Sequence, residues 1–239
     1  MAIFKKNVSD LVAEMREYYQ ARAPWHDEYM GYTGNAAMEK LLEPIVLWLE
    51  GLIADLTVLE VACGTGNWTQ VLAKWARRVL ATDVCLTALD IAKTKDYPLE
   101  VVAFQAADAY NLDGLPRGFE ASFAADWWSH VPRSLLPRFL NGLHRHLKPG
   151  ARVVFVDMLS CNHPDLKSYR LDDEGNAICR RTLPDGRVFD VVKNYPSRAE
   201  ALELLIGISD APEYREWLEL GRWALTYQVL KPNNERKNP

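Results

Sequence analysis

The stretch Val58-Leu-Glu-Val-Ala-Cys-Gly-Thr-Gly-Asn-Trp68 (VLEVACGTGNW) decides how the rest of the chain is read. An apolar run enters a turn in which Gly64 and Gly66 permit positive φ and let backbone approach a ligand with no Cβ in the way. The following residues, NWTQVLAKWA (67–76), read as a helix, so the turn joins a strand to a helix and makes a bed for a nucleotide-like group. Taken alone, such a turn serves tight packing equally well. A dinucleotide fingerprint wants a further glycine three residues past the second, yet Gly66 is followed by Asn67, Trp68 and Thr69, and Trp68 suits a pyrophosphate poorly. Glu60, four residues before Gly64, either orients the loop or reaches the ammonium of an amino-acid moiety. The pattern points away from a nicotinamide dinucleotide.

Working outward, TVLEVA (57–62) is followed by four more short apolar runs: RRVLATDV (77–84), EVVAFQAAD (100–108), ASFAADWW (121–128) and ARVVFVDML (151–159). Their alternation with helical stretches predicts an α/β fold, a parallel sheet with crossover helices. SLLPRFLNGLHRHL (134–147) supplies the last crossover, with Lys148, Pro149 and Gly150 as stop signals. Ahead of the first strand, Leu11, Val12, Met15, Tyr18 and Tyr19 recur at helical spacing behind a cap at Ser9 or Asp10. A second helix is expected from about Ala36 to Leu49, with Pro44 a kink point. Beyond the fifth strand, AICRRTLPDGRVFDVVKNY (177–195) reads as a β-hairpin turning at Pro184, Asp185 and Gly186. SRAEALELLIG (197–207) reads as a helix whose Ser197 and Glu200 make a capping box. EYREWLEL (213–220) and WALTYQVLK (223–231) suggest a closing antiparallel pair, and KPNNERKNP (231–239) a frayed tail.

The chain has 239 residues, 49% apolar and 25% charged, with a formal charge of −4, which fits one soluble domain with a substantial core. Lys and Arg are scattered, so no basic footprint marks a nucleic-acid partner. Cys63, Cys85, Cys161 and Cys179 show no CxxC spacing, so neither a metal site nor a disulfide framework is indicated, and a cytoplasmic location is expected. The N-terminus carries too many charges for a signal peptide, and no segment has the length to span a bilayer.

The decisive pattern is acidic. Asp83 ends the second strand, where an acceptor takes hydrogen bonds from both hydroxyls of a ribose. Asp108 ends the third, placed for an adenine amino group beside the Ala109 amide, and Asp126 ends the fourth. With Glu60 these put four acceptors on the carboxyl edge of one sheet, where ligands bind in open α/β folds.

These residues carry a resemblance. EVACGTGNW, ATDV, QAADAY and HRHLKPGARVVFVD look like the ordered motifs of the class I, Rossmann-like S-adenosylmethionine (SAM)-dependent methyltransferases over roughly Val58 to Met158. The resemblance implies a seven-stranded, mostly parallel sheet with a reversed last strand, helices on both faces, an N-terminal helical lid (1–50), a SAM-binding core (56–160) and a substrate-side segment (161–231). It implies Gly64 and Gly66 around the methionine part of SAM, Asp83 on the ribose and Asp108 near adenine, with Ala62, Thr65, Val84, Ala109, Asp126 and Trp127 as further cofactor contacts. The departure from a three-glycine loop is at Asn67. YYQARAPWHDEY resembles the aromatic-rich lid of small-molecule members, with Tyr19 and Arg22 as candidates for the SAM carboxylate.

The acceptor is expected beside DWWSHVP (126–132). Methyl transfer needs a base only where the nucleophile must lose a proton, and His130 has a pKa suited to that; the alternative is a His130 that caps the next helix. Trp127 and Trp128 either line an aromatic pocket or pack, and Asp157 and His163 follow the fifth strand at the same edge. The hairpin, with Arg180, Arg181, Arg187 and Lys193, is placed to cover the site and read an anionic or polar substrate, or else to be a solvated face or a homodimer contact. The leading expectation is O- or N-methylation of a small, partly aromatic metabolite. A catalytically silent SAM-binding protein and a nicotinamide-dependent reductase are the alternatives.

Overall fold

The computed structural model describes residues 6–32, 35–159 and 169–230. Its centre is a seven-stranded sheet in the order β3-β2-β1-β4-β5-β10-β9. The parallel strands are β1 (Thr57–Val61), β2 (Arg78–Asp83), β3 (Val102–Ala106), β4 (Phe119–Ala125) and β5 (Leu147–Met158); β10 (Arg222–Val229) runs antiparallel to both β5 and β9 (Ser209–Trp217). The strand order reverses between β1 and β4, which opens a crevice at their carboxyl ends. Central position explains composition: Val58, Leu59 and Val61 on β1 and Val153 to Val156 on β5 are buried because helices cover both faces.

The covering helices are α4 (Glu43–Ile53) and α5 (Asn67–Leu72), packed with Trp68, Val71 and Phe123, and on the other side α7 (Leu136–His144), packed with Phe139, Leu143 and Phe155. α6 (Leu86–Ala92) follows β2. The expected helix over 36–49 is two helices, α3 (Asn35–Leu41) and α4, because Pro44 sits in the first turn of the second and starts it. Lys148, Pro149 and Gly150 do not lie beyond a helix as stop signals. α7 ends at His144, and the residues from Leu147 on already belong to β5, where Leu147 pairs with Phe119 and the register then shifts before Ala121. Gly150, at φ +77°, accommodates that irregularity.

A second, three-stranded sheet stands over the carboxyl edge: β6 (Tyr169–Leu171), β7 (Ala177–Thr182) and β8 (Val188–Val192), the last two forming the expected hairpin. Helix α1 (Val8–Arg22) lays Leu11, Met15 and Tyr18, spaced by about one turn, against Ile178, Phe189, Val191 and Val192 of this sheet. Its cap is Asn7, whose side chain accepts from the Asp10 amide, rather than Ser9 or Asp10. A 3-10 turn (Ala23–Trp25) leads into α2 (His26–Tyr29), and α8 (Arg198–Glu203) carries the Ser197–Glu200 capping box. His163, Cys161 and the 231–239 tail lie outside the described residues. Among the described residues no helix is long and apolar enough to cross a membrane, and no His, Cys, Asp and Glu gather as a metal site.

Candidate functional site

The crevice at the ends of β1, β2 and β4, roofed by α1, forms a cavity. Its walls include Glu60, Ala62, Gly64, Thr65, Asp83, Val84, Asp108, Ala109, Asp126, Trp127 and His130, so eleven of the sequence-predicted residues converge on one space, joined by Tyr19 from the roof. Arg22 and Gly66 do not line it. The backbone is bent toward the cavity where the chain leaves the strands: Ala62 at φ +54° and Asp126 at φ +52° are non-glycine residues in the left-handed region, a strain that concentrates at functional sites.

The two loop glycines serve different needs. A Cβ on Gly64 (φ +56°) would meet nothing within 4 Å, so the missing side chain leaves open space for a ligand. A Cβ on Gly66 (φ +81°) would run into the Tyr97 hydroxyl and lie 2.9 Å from Ala92 Cβ, so this glycine exists for packing beneath the loop. The tie that holds the loop was absent from the sequence reading. Asp27 of α2 accepts from Thr65 Oγ1 (2.5 Å) and Asn67 Nδ2 (2.7 Å), and pairs with Lys95 Nζ (2.8 Å), which also donates to Asn67 Oδ1. Nothing in the spacing of Asp27, 38 residues from Thr65, signals this contact.

Asp83 accepts from the amides of Gly64 (2.8 Å, Oδ2) and Cys85 (2.7 Å, Oδ1), which fixes its carboxylate at the loop; burial pushes its pKa up while these amides oppose the shift. Each oxygen keeps a second acceptor position. Asp108 accepts from the Tyr110 amide and pairs with Arg16 of α1, a second tie between roof and floor that sequence spacing did not reveal. Asp126 pairs with Arg222, a buried cation on β10. Of the two tryptophans after β4, Trp128 is core, edge-on to Phe155 and Trp223, whereas Trp127 faces the cavity.

Glu60 is 1% exposed and its carboxyl accepts from Thr69 Oγ1 at 2.7 Å. Burial raises its pKa to about 8. A carboxyl whose folded pKa lies above its unfolded value of 4.5 stabilises the fold below that value, and the contribution is lost as pH rises through about 8. The ligand-free protein is therefore expected to lose stability between pH 5 and 8. Glu60→Gln should flatten that slope in thermal melts by at least ~1.4 kcal/mol, roughly 3 °C, and an unchanged slope would remove Glu60 from this role.

A cavity at the strand-order reversal, a glycine loop and acidic strand ends define a protein that binds a single nucleoside in an open α/β fold. Comparison with known proteins agrees and goes further. The family model of a methyltransferase domain matches residues 58–150. The structure of DhpI in complex with SAH, the demethylated product of SAM, superposes with a TM-score of 0.73 at 30% identity, covering 95% of this chain and all of that one. A DhpI–SAM–HEP complex gives 0.73 at 29%, covering 93% and 99%. Among curated proteins, the 2-phytyl-1,4-naphtoquinone methyltransferase of Nostoc punctiforme is 28% identical over 166 residues, 66% of this chain and 70% of that protein. The chain spans about half (48%) of a Lactococcus lactis demethylmenaquinone methyltransferase, at 29% identity.

The chain belongs to the class I SAM-dependent methyltransferases. It is an enzyme, and its cofactor is SAM. The cavity fits that group on its own evidence: open space at Gly64, free acceptor positions on Asp83, and the Trp68 and Trp127 indole N–H and Tyr110 hydroxyl buried in its wall without hydrogen-bond partners.

Proposed function

We propose that the enzyme methylates an O or N atom of a small molecule enclosed beneath α1 and the hairpin. The observation that carries this reading is a second, smaller cavity that shares Tyr19, His26, Asp126 and His130 with the cofactor cavity, so donor and acceptor meet at a partly buried junction.

SAM, when bound, supplies an electrophilic methyl group on a sulfonium. The rest is positioning and proton handling by the chain. We assign the cofactor contacts to Glu60, Ala62, Gly64, Thr65, Asp83, Val84, Asp108, Ala109 and Trp127. His130 Nδ1 lies 2.7 Å from the Val192 carbonyl oxygen, so that nitrogen carries the proton and donates; Nε2 then accepts from the Tyr19 hydroxyl at 2.7 Å. Burial, then the Lys193 charge, hold the His130 pKa well below its ordinary value, so the ring is neutral at pH 7 and able to accept a proton. Burial keeps Tyr19 a phenol. In this arrangement the acceptor passes its proton to the Tyr19 oxygen as Tyr19 passes its own to His130. A base this weak suits an acceptor that is already acidic.

Incubation with trideuteromethyl-SAM and a metabolite extract should place the label in the low-molecular-mass fraction; label confined to protein or nucleic acid would overturn the small-molecule reading. With that labelled product as assay, His130→Ala should lower the rate ~10²-fold or more while SAH affinity stays within about twofold. An unchanged rate would remove the base role.

A further inference from the structure

The wall of the second cavity is strongly cationic. Arg22, Arg181 and Lys193 all line it, together with Tyr29 and Met158. Lys193, 3% exposed, is answered by Asp157 (3.5 Å) and Ser129 Oγ (2.7 Å), and Asp126, the one carboxylate among the described lining residues, is taken by Arg222. Arg22 is different. It is 8% exposed, its guanidinium lies 4.0 Å over the Tyr29 ring, and its polar contact is a long 3.5 Å bond from Nη1 to the Tyr18 hydroxyl. Its Nε and Nη2 are buried with no hydrogen-bond partner. Arg181, on β7, donates to the Tyr29 hydroxyl at 3.2 Å and so reaches the same spot from the opposite wall.

A guanidinium buried with half its fork unsatisfied is costly unless an anion completes it. Nε and Nη2 lie on one edge of that fork, the edge that engages two oxygens of a carboxylate or phosphate. The two histidines at the junction cannot supply alternative charge: burial, then Arg22 itself, push His26 down to about 4, and His130 is neutral.

We infer that this cavity is an oxyanion subsite, and that the methyl acceptor is a small molecule carrying a carboxylate, phosphate or phosphonate held by Arg22 and Arg181. This rests on the methyltransferase reading and narrows it. It turns away from a neutral ring as the recognised feature, although quinone methyltransferases are among the relatives. It also moves Arg22 from the cofactor's carboxylate, where sequence reading placed it, to the acceptor, because Arg22 borders the second cavity and not the first.

The test is calorimetric titration of the SAH-saturated protein, at constant ionic strength, with inorganic phosphate and with acetate. At least one should bind in the millimolar range, and Arg22→Leu should weaken it tenfold or more while SAH affinity changes less than threefold. Arg181→Gln, a change at a partly exposed lining position on β7, should weaken it as well. No binding of either anion to a protein that binds SAH overturns the subsite and leaves the methyltransferase reading intact. An Arg22→Leu loss that falls on SAH instead returns Arg22 to the cofactor and also overturns it. Failure to bind SAH at all strikes the underlying reading rather than the subsite alone.

Discussion

Asp83→Ala is expected to weaken SAM and SAH binding by about 10²-fold or more, with the protein still folded. Two hydrogen bonds from ribose hydroxyls to an ionised carboxylate are each worth ~1.5–3 kcal/mol when desolvated. The same carboxylate holds the amides of Gly64 and Cys85, so its loss also releases the glycine loop from the end of β2. Asparagine is no rescue, since its amide N–H would face one of those backbone N–H groups. Calorimetry with SAH checks the affinity and a thermal melt checks the fold. An affinity within a factor of two of the parent enzyme would show that Asp83 serves the loop and not the ribose.

The second large effect separates the two loop glycines. Gly66→Ala should destabilise the protein by ~3 kcal/mol or more: the left-handed backbone costs ~1–2 kcal/mol for any Cβ, and the added carbon overlaps Tyr97 and Ala92, which have α6 and β3 behind them. Gly64→Ala carries the same backbone cost with no clash, so it should fold with a smaller loss of stability, yet its methyl group projects into the space assigned to the cofactor. Melting temperature should therefore fall chiefly in the first variant and SAH affinity chiefly in the second. Equal losses of both properties in both variants would contradict the division of labour.

The parallel core was legible because it rests on local signals. Apolar runs of strand length, separated by helical stretches, locate β1 to β5, and the acidic residues end up at the carboxyl edge because each closes its strand. The hairpin and the Ser197 cap were equally local. What escaped were contacts between residues far apart in sequence. Asp27 with Thr65 and Asn67, and Arg16 with Asp108, depend on where α1 and α2 lie against the sheet, and Arg22 above Tyr29 depends on the turn between those two helices. Pattern also could not tell Gly64 from Gly66, since both need positive φ and only the neighbours reveal which side of the loop is empty. At Lys148 to Gly150 the Pro–Gly pair signals a helix stop, but the ladder with Phe119 claims that stretch for the strand.

Helix α1 packs on the three-stranded sheet rather than on the seven-stranded one, and Lys6 just before it and Glu14 midway along it bind the Asp190 carboxylate and amide on β8. Two segments more than 150 residues apart thus form one body. For anyone building chimaeras to change acceptor preference, the unit of exchange is that body. A hairpin grafted from a relative without its own first helix would set Phe189 and Val191 against a foreign face, whereas the pair moved together would leave the nucleoside floor at β1, β2 and β4 as it is.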